Sequence, residues 1–138
     1  MRVDFVSFVE DMALEVDEVI VATPAVDWDG VFDYEALAAA SDGLFIMGYD
    51  LHSAGGAPGP VAFLASGSLW PDYSLEQTVE TYLDHAPADK LILGLPTYGR
   101  SWPSPSASLP GSRSTGESRA HIISSCGDVL GSTPEYDE

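Results

Sequence analysis

The 138-residue chain is poor in positive charge and in cysteine, and it has no long hydrophobic run. It contains 5 Lys and Arg residues against 22 Asp and Glu residues, which gives a formal net charge of −17. Because like charges repel, this balance disfavours nucleic acid and anionic membranes as partners. Cys126 is the single cysteine, which excludes an internal disulfide and a cysteine-rich zinc site. No apolar run approaches the roughly 18 residues that a bilayer span needs, so a transmembrane helix is excluded.

The chain also lacks the usual sequence signals of nucleotide binding, metal binding and secretion. The glycine-rich stretch from Gly55 to Gly59 has neither the Lys nor the Ser/Thr of a phosphate-binding loop, and no G-x-G-x-x-G follows a strand. The histidines show no metal-ligand spacing, and His52 is a site candidate only because it lies near Asp50. Met1 leads into an amphipathic segment and not into a charged region followed by an apolar one, so a secretory signal peptide is not predicted in these residues. We predict neither a metal nor a cofactor.

The apolar residues that are present alternate between helical and strand-like spacing. An apolar content of 45% is ordinary for a folded domain. The pattern predicts, in order, a helix over 4–16, a strand over 19–22, a helix with helix formers over 35–40 that Gly43 ends, a strand over 44–49, a helix over 75–85 and a strand over 91–95. The apolar side of the first helix is predicted to carry Phe5, Phe8, Val9, Met12 and Val16, and that of the third helix Leu75, Val79, Tyr82 and Leu83. Asp33 is the predicted N-cap of the second helix, and Ser74 begins a capping-box pattern before the third. Alternating helices and strands predict an α/β fold with parallel strands.

Parallel strands joined by right-handed crossovers have all their carboxyl ends at the same end of the sheet. The chain therefore places Pro24-Ala25, Tyr49-Asp50 and Tyr98 with Arg100 together after the three predicted strands. The stretch 52–73 is long for a connection between a strand and a helix, which favours a functional loop. Beyond Trp102 the sequence is rich in Ser, Gly and Pro, and regular structure is not predicted there.

Two segments carry a resemblance to a known family. One ends in Met47-Gly48-Tyr49-Asp50, and the other ends in Pro96-Thr97-Tyr98-Gly99-Arg100. They resemble the ends of the sixth and seventh barrel strands of glycoside hydrolase family 18, the chitinase family, and they occur in the same order. The family's catalytic signature, D-x-x-D-x-D-x-E, ends in the Glu that donates the proton, and it does not occur in these 138 residues.

The resemblance implies a sector of a (β/α)8 TIM barrel covering about strands five to seven, since a complete barrel needs about 250 residues. On this interpretation residues 1–102 are a partial glycosidase barrel. Residues 103–138 are a loop-rich tail or the beginning of the small α+β insertion that often follows the seventh strand in the family. An open sector leaves strand edges and an apolar face uncovered, which predicts self-association of the isolated chain. The parent protein is expected to be secreted or exposed at the cell surface.

The resemblance also implies roles for five residues, and the chemistry of aromatic stacking adds a sixth candidate. Family 18 enzymes use the substrate's own N-acetyl oxygen as the nucleophile. Tyr49 and Asp50 are the implied catalytic residues: Tyr49 orients the acetamido group, and Asp50 lies beside the acid Glu and holds it protonated by like-charge repulsion. The residues that the resemblance implies to border the sugar are Met47, Tyr98 and Arg100. Trp28 is a further candidate for substrate binding, because an aromatic ring at a loop position can stack on a sugar face.

Each of these assignments has a structural alternative. Tyr49 and Asp50 could simply cap a strand, Met47 could pack in the core, and Arg100 could be an ion-pair partner. Trp28, like Trp70 and Trp102, could cover the core instead of stacking on a sugar face.

The resemblance predicts a glycosidase acting on β-1,4-linked N-acetylglucosamine polymers, with chitin ahead of peptidoglycan-type glycans. The isolated chain lacks the acid Glu and is predicted to be inactive. One alternative is a chitinase-like protein that binds sugar without cleaving it. A second is an unrelated doubly wound α/β protein, in which the strands would be reordered about a switch point.

Overall fold

The computed structural model describes residues 2–53, 56–68, 70, 73–103 and 119–122. The elements in chain order are α1 (Arg2–Ala13), β1 (Ile20–Pro24), α2 (Tyr34–Ala40), β2 (Gly43–Met47), α3 (Leu75–Leu83), a 3-10 turn (Ala88–Lys90), β3 (Leu91–Gly94), β4 (Tyr98–Ser101) and β5 (Arg119–Ile122). They belong to two compact units. The first comprises Met1–Gly48 and Leu75–Gly94, and the second comprises Tyr49–Ser74 and Leu95–Glu138.

The first unit is built on a parallel sheet of three strands in the order β1-β2-β3. Val21 lies opposite Leu44, and Leu44 lies opposite Leu91, so the three strands are paired along most of their length. The chain passes through α2 between β1 and β2 and through α3 between β2 and β3, as parallel neighbours require. The predicted α/β fold with parallel strands is confirmed, and the strands are sequential neighbours.

One face of this sheet forms the core with the helices. Leu44 and Ile46 of β2 are 0% and 1% exposed, and they belong to a cluster with Val9 of α1, Leu37 of α2 and Tyr82 of α3. Full burial of such an aliphatic side chain stabilises a fold by about 1.5–3 kcal/mol. The opposite face of the sheet is open, with Ile20 41% and Ile92 46% exposed.

Several sequence signals act locally as predicted. Asp33 caps α2, because its Oδ1 accepts a hydrogen bond from the Ala36 amide at 3.1 Å. Helix α3 begins at Leu75, directly after the capping-box serine. Gly48 donates to the Gly94 carbonyl at 3.0 Å, and a Cβ at Gly48 would lie 2.7 Å from that oxygen. Glycine therefore allows β2 and β3 to stay paired up to the residue before Tyr49.

The helical pattern was less accurate about which side chains point inward. Phe8 and Val16 were predicted on the inner face of the first helix, but they are 57% and 44% exposed, and α1 ends at Ala13. Phe5 and Val9 from the same predicted side do pack inward, and so does Val6. On α3 the predicted inner residue Leu83 is 48% exposed, whereas Thr78 is 4% exposed. Thr78 is buried because its hydroxyl finds a backbone acceptor, which hydrophobic periodicity does not register.

The second unit contains an antiparallel pair in which Tyr98 of β4 lies opposite Ile122 of β5. Tyr98 and Arg100 were expected at the end of the strand over 91–95, but β3 ends at Gly94 and both residues lie in β4. Pro96 separates the two strands, since a proline cannot donate a hydrogen bond to a ladder.

The predicted division into residues 1–102 and 103–138 stays a prediction, because most of the second range lies outside the described residues. Cys126 also lies outside them. Among the helices of the described ranges, none has the length and apolar character that a membrane crossing would need.

Candidate functional site

The two motif segments meet in the second unit. The Tyr98 hydroxyl donates to Asp50 Oδ1 at 2.8 Å, and Arg100 donates to the same oxygen from Nε and from Nη2, each at 3.1 Å. The rings of Tyr49 and Tyr98 lie 6.3 Å apart with an interplanar angle of 68°, an edge-to-face contact. Four of the six residues predicted for the site are thus in contact, although the two pairs lie far apart in the sequence, since Tyr98 follows Asp50 by 48 residues.

The two oxygens of the Asp50 carboxylate have different surroundings. Oδ1 accepts all three of these hydrogen bonds, and no described residue donates to Oδ2. The Asp50 side chain is 38% exposed, while that of Arg100 is 15% exposed. The arrangement holds one carboxylate oxygen in a charge-assisted network and leaves the other able to accept a further hydrogen bond.

The backbone of Asp50 is in the left-handed region, with φ +56°. Among non-glycine residues, Asp and Asn adopt this conformation most readily, at a cost of about 1–2 kcal/mol. The next residue is fixed, because the Leu51 amide donates to the Val61 carbonyl at 2.9 Å. Such conformations persist where the surroundings determine them, and they are frequent at functional sites.

The Tyr98 hydroxyl is a persistent donor at neutral pH. Burial, the hydrogen bond to Asp50 and the negative charge of Asp50 raise the pKa of Tyr98 to about 12, and the Arg100 charge opposes this rise. Removing the phenolic proton would place a second negative charge beside the carboxylate. Tyr98 therefore remains protonated, and so remains able to donate to Asp50, over the whole physiological pH range.

A second group of rings follows Asp50 in the loop of the same unit. His52 lies 6.0 Å from Phe63 and 5.9 Å from Trp70, measured between ring centroids, and Phe63 lies 6.2 Å from Trp70. His52 Nδ1 also contacts the Pro60 carbonyl oxygen at 3.0 Å. The loop between the two motifs thus has an internal structure built around His52.

The other two predicted site residues, Met47 and Trp28, belong to the first unit. Met47 is the last residue of β2 and is half-buried. Trp28 is 63% exposed and lies in the connection from β1 to α2. In this connection the Asp27 carboxylate accepts hydrogen bonds from the amides of Val31 and Phe32 at 3.0 and 2.9 Å. The roles of Met47 and Trp28 in sugar binding stay predictions.

Two side chains of helix α3 form hydrogen bonds with the backbone at the end of β1. The Tyr82 hydroxyl donates to the Pro24 carbonyl at 2.7 Å, and the Thr78 hydroxyl donates to the Ala25 carbonyl at 3.0 Å. Both side chains lie on one face of the helix, four residues apart. Sequence reasoning placed Tyr82 on the inner face but did not identify either hydroxyl contact, because nothing in the local pattern shows which carbonyls the helix will face.

The other tryptophans differ in exposure. Trp70 is half-buried against His52 and Phe63. Trp102 is 8% exposed, and its Nε1 has no hydrogen-bond partner among the described residues. In the described ranges, no group of three or more His, Cys, Asp or Glu residues is placed to hold a metal ion.

Comparison with known proteins points to one family. The sequence model of glycosyl hydrolases family 18 matches residues 2–134. A Bacillus subtilis protein, YdhD, whose name describes a candidate sporulation-specific glycosylase, is 36% identical over 87 residues, which cover 59% of this chain and 19% of YdhD. A second Bacillus subtilis protein, the uncharacterized glycosylase YvbX, is 34% identical over 76 residues, covering 55% of this chain and 20% of YvbX.

Solved structures show the same similarity. The crystal structure of YdhD has a TM-score of 0.73 and 27% identity, covering 94% of this chain and 42% of that one. The Group IV chitinase of Ostrinia furnacalis in complex with allosamidin has a TM-score of 0.79 and 25% identity, covering 94% of this chain and 41% of the chitinase. The chain therefore spans about a fifth of the length of the curated relatives that it matches and about two fifths of these structures.

Proposed function

Because the chain belongs to glycosyl hydrolases family 18, we propose that it forms part of the catalytic barrel of a glycosidase that cleaves β-1,4-linked N-acetylglucosamine polymers. The observation that carries the proposal is the contact between the two motif segments. Tyr49 and Asp50 from one segment meet Tyr98 and Arg100 from the other around a single carboxylate oxygen. A chance sequence match would not require these four residues to meet.

The proposed reaction is substrate-assisted retention. The acetamido oxygen of the substrate attacks the anomeric carbon while a carboxylic acid protonates the departing glycosidic oxygen. Water later opens the resulting ring, and the configuration at the anomeric carbon is retained. The Tyr49 hydroxyl donates to the acetamido group and holds it in the attacking orientation, an effect that can contribute several kcal/mol to lowering the barrier.

Asp50 acts through its second carboxylate oxygen in this proposal. Oδ1 is occupied by Tyr98 and Arg100, whereas Oδ2 has no donor among the described residues. Oδ2 is then the atom that faces the acid and the acetamido N–H as the reaction proceeds. Tyr98 and Arg100 contribute to sugar binding indirectly, because their described contacts hold the Asp50 carboxylate in place.

The relatives support the class of substrate. The Ostrinia furnacalis protein is named as a chitinase, and the two Bacillus subtilis proteins are named as glycosylases. We propose chitin as the first substrate to test and peptidoglycan-type glycans as the second. Both are insoluble polymers found outside cells, and we accordingly propose that the protein acts there.

The test is the effect of Tyr49→Phe in the gene product that carries these 138 residues. Hydrolysis of a fluorogenic chitobioside should fall by about 10²-fold or more, while the affinity for the intact oligosaccharide should change by less than about tenfold. The reason is that the hydroxyl acts mainly as the acetamido group attacks. Tyr73→Phe is a matched control, because Tyr73 lies outside the cluster around Asp50.

Equal turnover in the Tyr49→Phe variant would remove Tyr49 from the mechanism. Saturable binding of chitin oligosaccharides without any turnover would favour the chitinase-like binding protein over the enzyme. Cleavage of a substrate that lacks the N-acetyl group would contradict substrate assistance.

A further inference from the structure

The loop after Asp50 closes on itself through two neighbouring residues. The Leu51 amide donates to the Val61 carbonyl at 2.9 Å, and His52 Nδ1 lies 3.0 Å from the Pro60 carbonyl oxygen. Because a carbonyl oxygen can only accept, Nδ1 must carry the hydrogen. Two adjacent residues thus bind two adjacent carbonyls, and we refer to these two hydrogen bonds as the 51–61 clasp.

The imidazole of His52 is held closely by its surroundings. The rings of Phe63 and Trp70 lie next to the imidazole. Gly59, which has no side chain, also lies against it. A Cβ at Gly59 would lie 2.5 Å from Nε2 and 2.6 Å from Cγ of His52. Gly59 is buried and has no positive φ, so the space for the imidazole, and not the backbone conformation, requires glycine there.

The clasp begins at the residue after Asp50, whose backbone is in the left-handed region at φ +56°. That conformation sets the direction in which the carboxylate leaves the chain, and thus its approach to Tyr98 and Arg100. We infer that His52 is a positioning residue: by binding the Pro60 carbonyl through Nδ1, it holds the chain after Asp50 in place and keeps the Asp50 carboxylate on Tyr98 and Arg100.

The inference deepens the proposed function, and its consequence for turnover rests on that function. Its consequence for geometry does not, because the contact between Arg100 and Asp50 can be observed in the absence of any sugar. Displacement of a catalytic group by about 1 Å can lower a rate by about 10²-fold. Loss of the clasp should therefore lower kcat more than it changes KM.

Two substitutions at His52 separate its hydrogen bond from its ring. His52→Asn keeps a donor close to the position of Nδ1 but removes the ring, whereas His52→Phe keeps a ring but removes the donor. The control is His85→Ala, because His85 likewise lies beside an aromatic ring, 6.2 Å from that of Tyr34, but belongs to the first unit. The variants are made in the gene product that carries this chain.

The direct measurement is the NMR signal of the Arg100 Nε–H group, identified by its loss in Arg100→Lys. A hydrogen bond to a carboxylate moves this proton downfield. We expect His52→Phe to lose the downfield position and to lower kcat by about 10- to 100-fold. We expect His52→Asn to retain most of the downfield shift of the Arg100 signal and most of kcat. His85→Ala should change neither the shift nor kcat.

An unchanged Arg100 signal in folded His52→Phe would overturn the inference. The inference would also be overturned if His52→Asn lost the downfield Arg100 signal as completely as His52→Phe. The packing of the ring, and not the hydrogen bond, would then hold the loop. If His52→Phe fails to fold, Gly59→Ala provides the second test: its Cβ should displace the imidazole and shift the Arg100 signal. In a His52→Ala background, where the hydrogen bond to the Pro60 carbonyl is already absent, the same Gly59→Ala substitution should add no further shift. An unshifted signal in Gly59→Ala overturns the inference as well.

The same measurements separate this inference from the proposed function. If the Arg100 signal responds to His52→Phe but the wild-type protein neither binds nor cleaves chitin oligosaccharides, the clasp stands and the proposed function fails. If Asp50→Asn abolishes cleavage while His52→Phe leaves the signal and kcat unchanged, the function stands and the clasp fails.

Discussion

At the residue scale, the site depends on how two side chains, those of Tyr98 and Arg100, share one oxygen of the Asp50 carboxylate. Tyr98 and Arg100 both donate to Asp50 Oδ1, at 2.8 and 3.1 Å. Two opposing charges therefore act on the Tyr98 hydroxyl, since the carboxylate disfavours loss of its proton and the guanidinium favours it. The pKa of Tyr98 consequently reports on the integrity of the whole cluster.

We predict that Asp50→Asn lowers the pKa of Tyr98 from about 12 toward its ordinary value of 10.0, and that Arg100→Gln raises it. The first change removes a negative charge and the second removes a positive one. The pKa can be followed by the ¹³Cζ shift of labelled tyrosine between pH 8 and the pH at which the protein unfolds. Shifts in the same direction in both variants would contradict the observed geometry.

The raised pKa of Tyr98 also affects stability at alkaline pH. The unfolded chain loses this proton near pH 10, whereas the folded chain keeps it until about pH 12. The stabilisation associated with the protonated tyrosine is therefore fully present below pH 10, and it is lost as the pH rises through 12. The sign follows from the folded state binding the proton more tightly than the unfolded state.

At the element scale, helix α3 is fastened to the end of β1 by two hydroxyl groups. Tyr82 and Thr78 donate to consecutive carbonyls, those of Pro24 and Ala25. These carbonyls belong to the last residue of a strand and the first residue beyond it, where the sheet ladder no longer supplies donors. The helix thus supplies donors to two partly buried carbonyls, and it fixes where the connection to Trp28 begins.

We predict that Thr78→Ala destabilises the protein by about 1–2 kcal/mol, because it leaves the Ala25 carbonyl without its donor. Thr81→Ala should lower the free energy of unfolding by less than about 0.5 kcal/mol. Thr81 lies on the same helix, but it is exposed and donates only to the Gln77 carbonyl of its own helix.

The measurement is the free energy of unfolding in urea for the two alanine variants. Both substitutions gain the same helix propensity, so their difference isolates the contact to Ala25. Equal destabilisation by the two substitutions would show that the Thr78 hydroxyl contributes nothing beyond its helix.

At the scale of the whole molecule, the first unit has an open sheet face and open sheet edges. β1 and β3 are the outer strands of its sheet. Ile20 of β1 and Ile92 of β3, on the open face, are 41% and 46% exposed, so both outer strands carry an exposed isoleucine. Relatives of known structure are more than twice as long as this chain, which covers 41–42% of them.

We predict that the isolated 138-residue chain self-associates, because unpaired edges and an apolar face favour contact between copies. Sedimentation velocity over a range of concentrations should show species larger than a monomer. Charged substitutions at Ile20 and Ile92 should reduce the association. A monomer with a sharp melting transition that does not depend on concentration would contradict this prediction.

We also predict that the isolated chain does not hydrolyse chitin oligosaccharides. The signature that ends in the proton-donating Glu does not occur in its 138 residues, and a general acid contributes about 10²–10⁴-fold to a rate. The assay is release of fluorophore from a chitobioside, with Asp50→Ala as control. Turnover by the chain alone that Asp50→Ala abolishes would refute the prediction.

The sequence by itself determined the order and type of the principal elements. The strand patterns and the Asp33 cap each depend on a few neighbouring residues, so local physics was enough to predict them. The motif pair also singled out Tyr49, Asp50, Tyr98 and Arg100, which lie in contact with one another, and their roles in the chemistry stay predictions. The parallel topology of β1 to β3 could be predicted because it follows from the alternation of helices and strands and needs no distant contact to be known.

The tertiary structure alone decided which partner each polar side chain finds. Nothing near Thr78, Tyr82 or His52 in the sequence identifies carbonyls that are 53, 58 and 8 residues away as their acceptors. The same holds for Asp50, whose donors lie 48 and 50 residues further along the chain. Hydrophobic periodicity records only which side of an element is apolar. Hydrogen bonds depend on positions to within a few tenths of an ångström, and packing of the elements sets those positions.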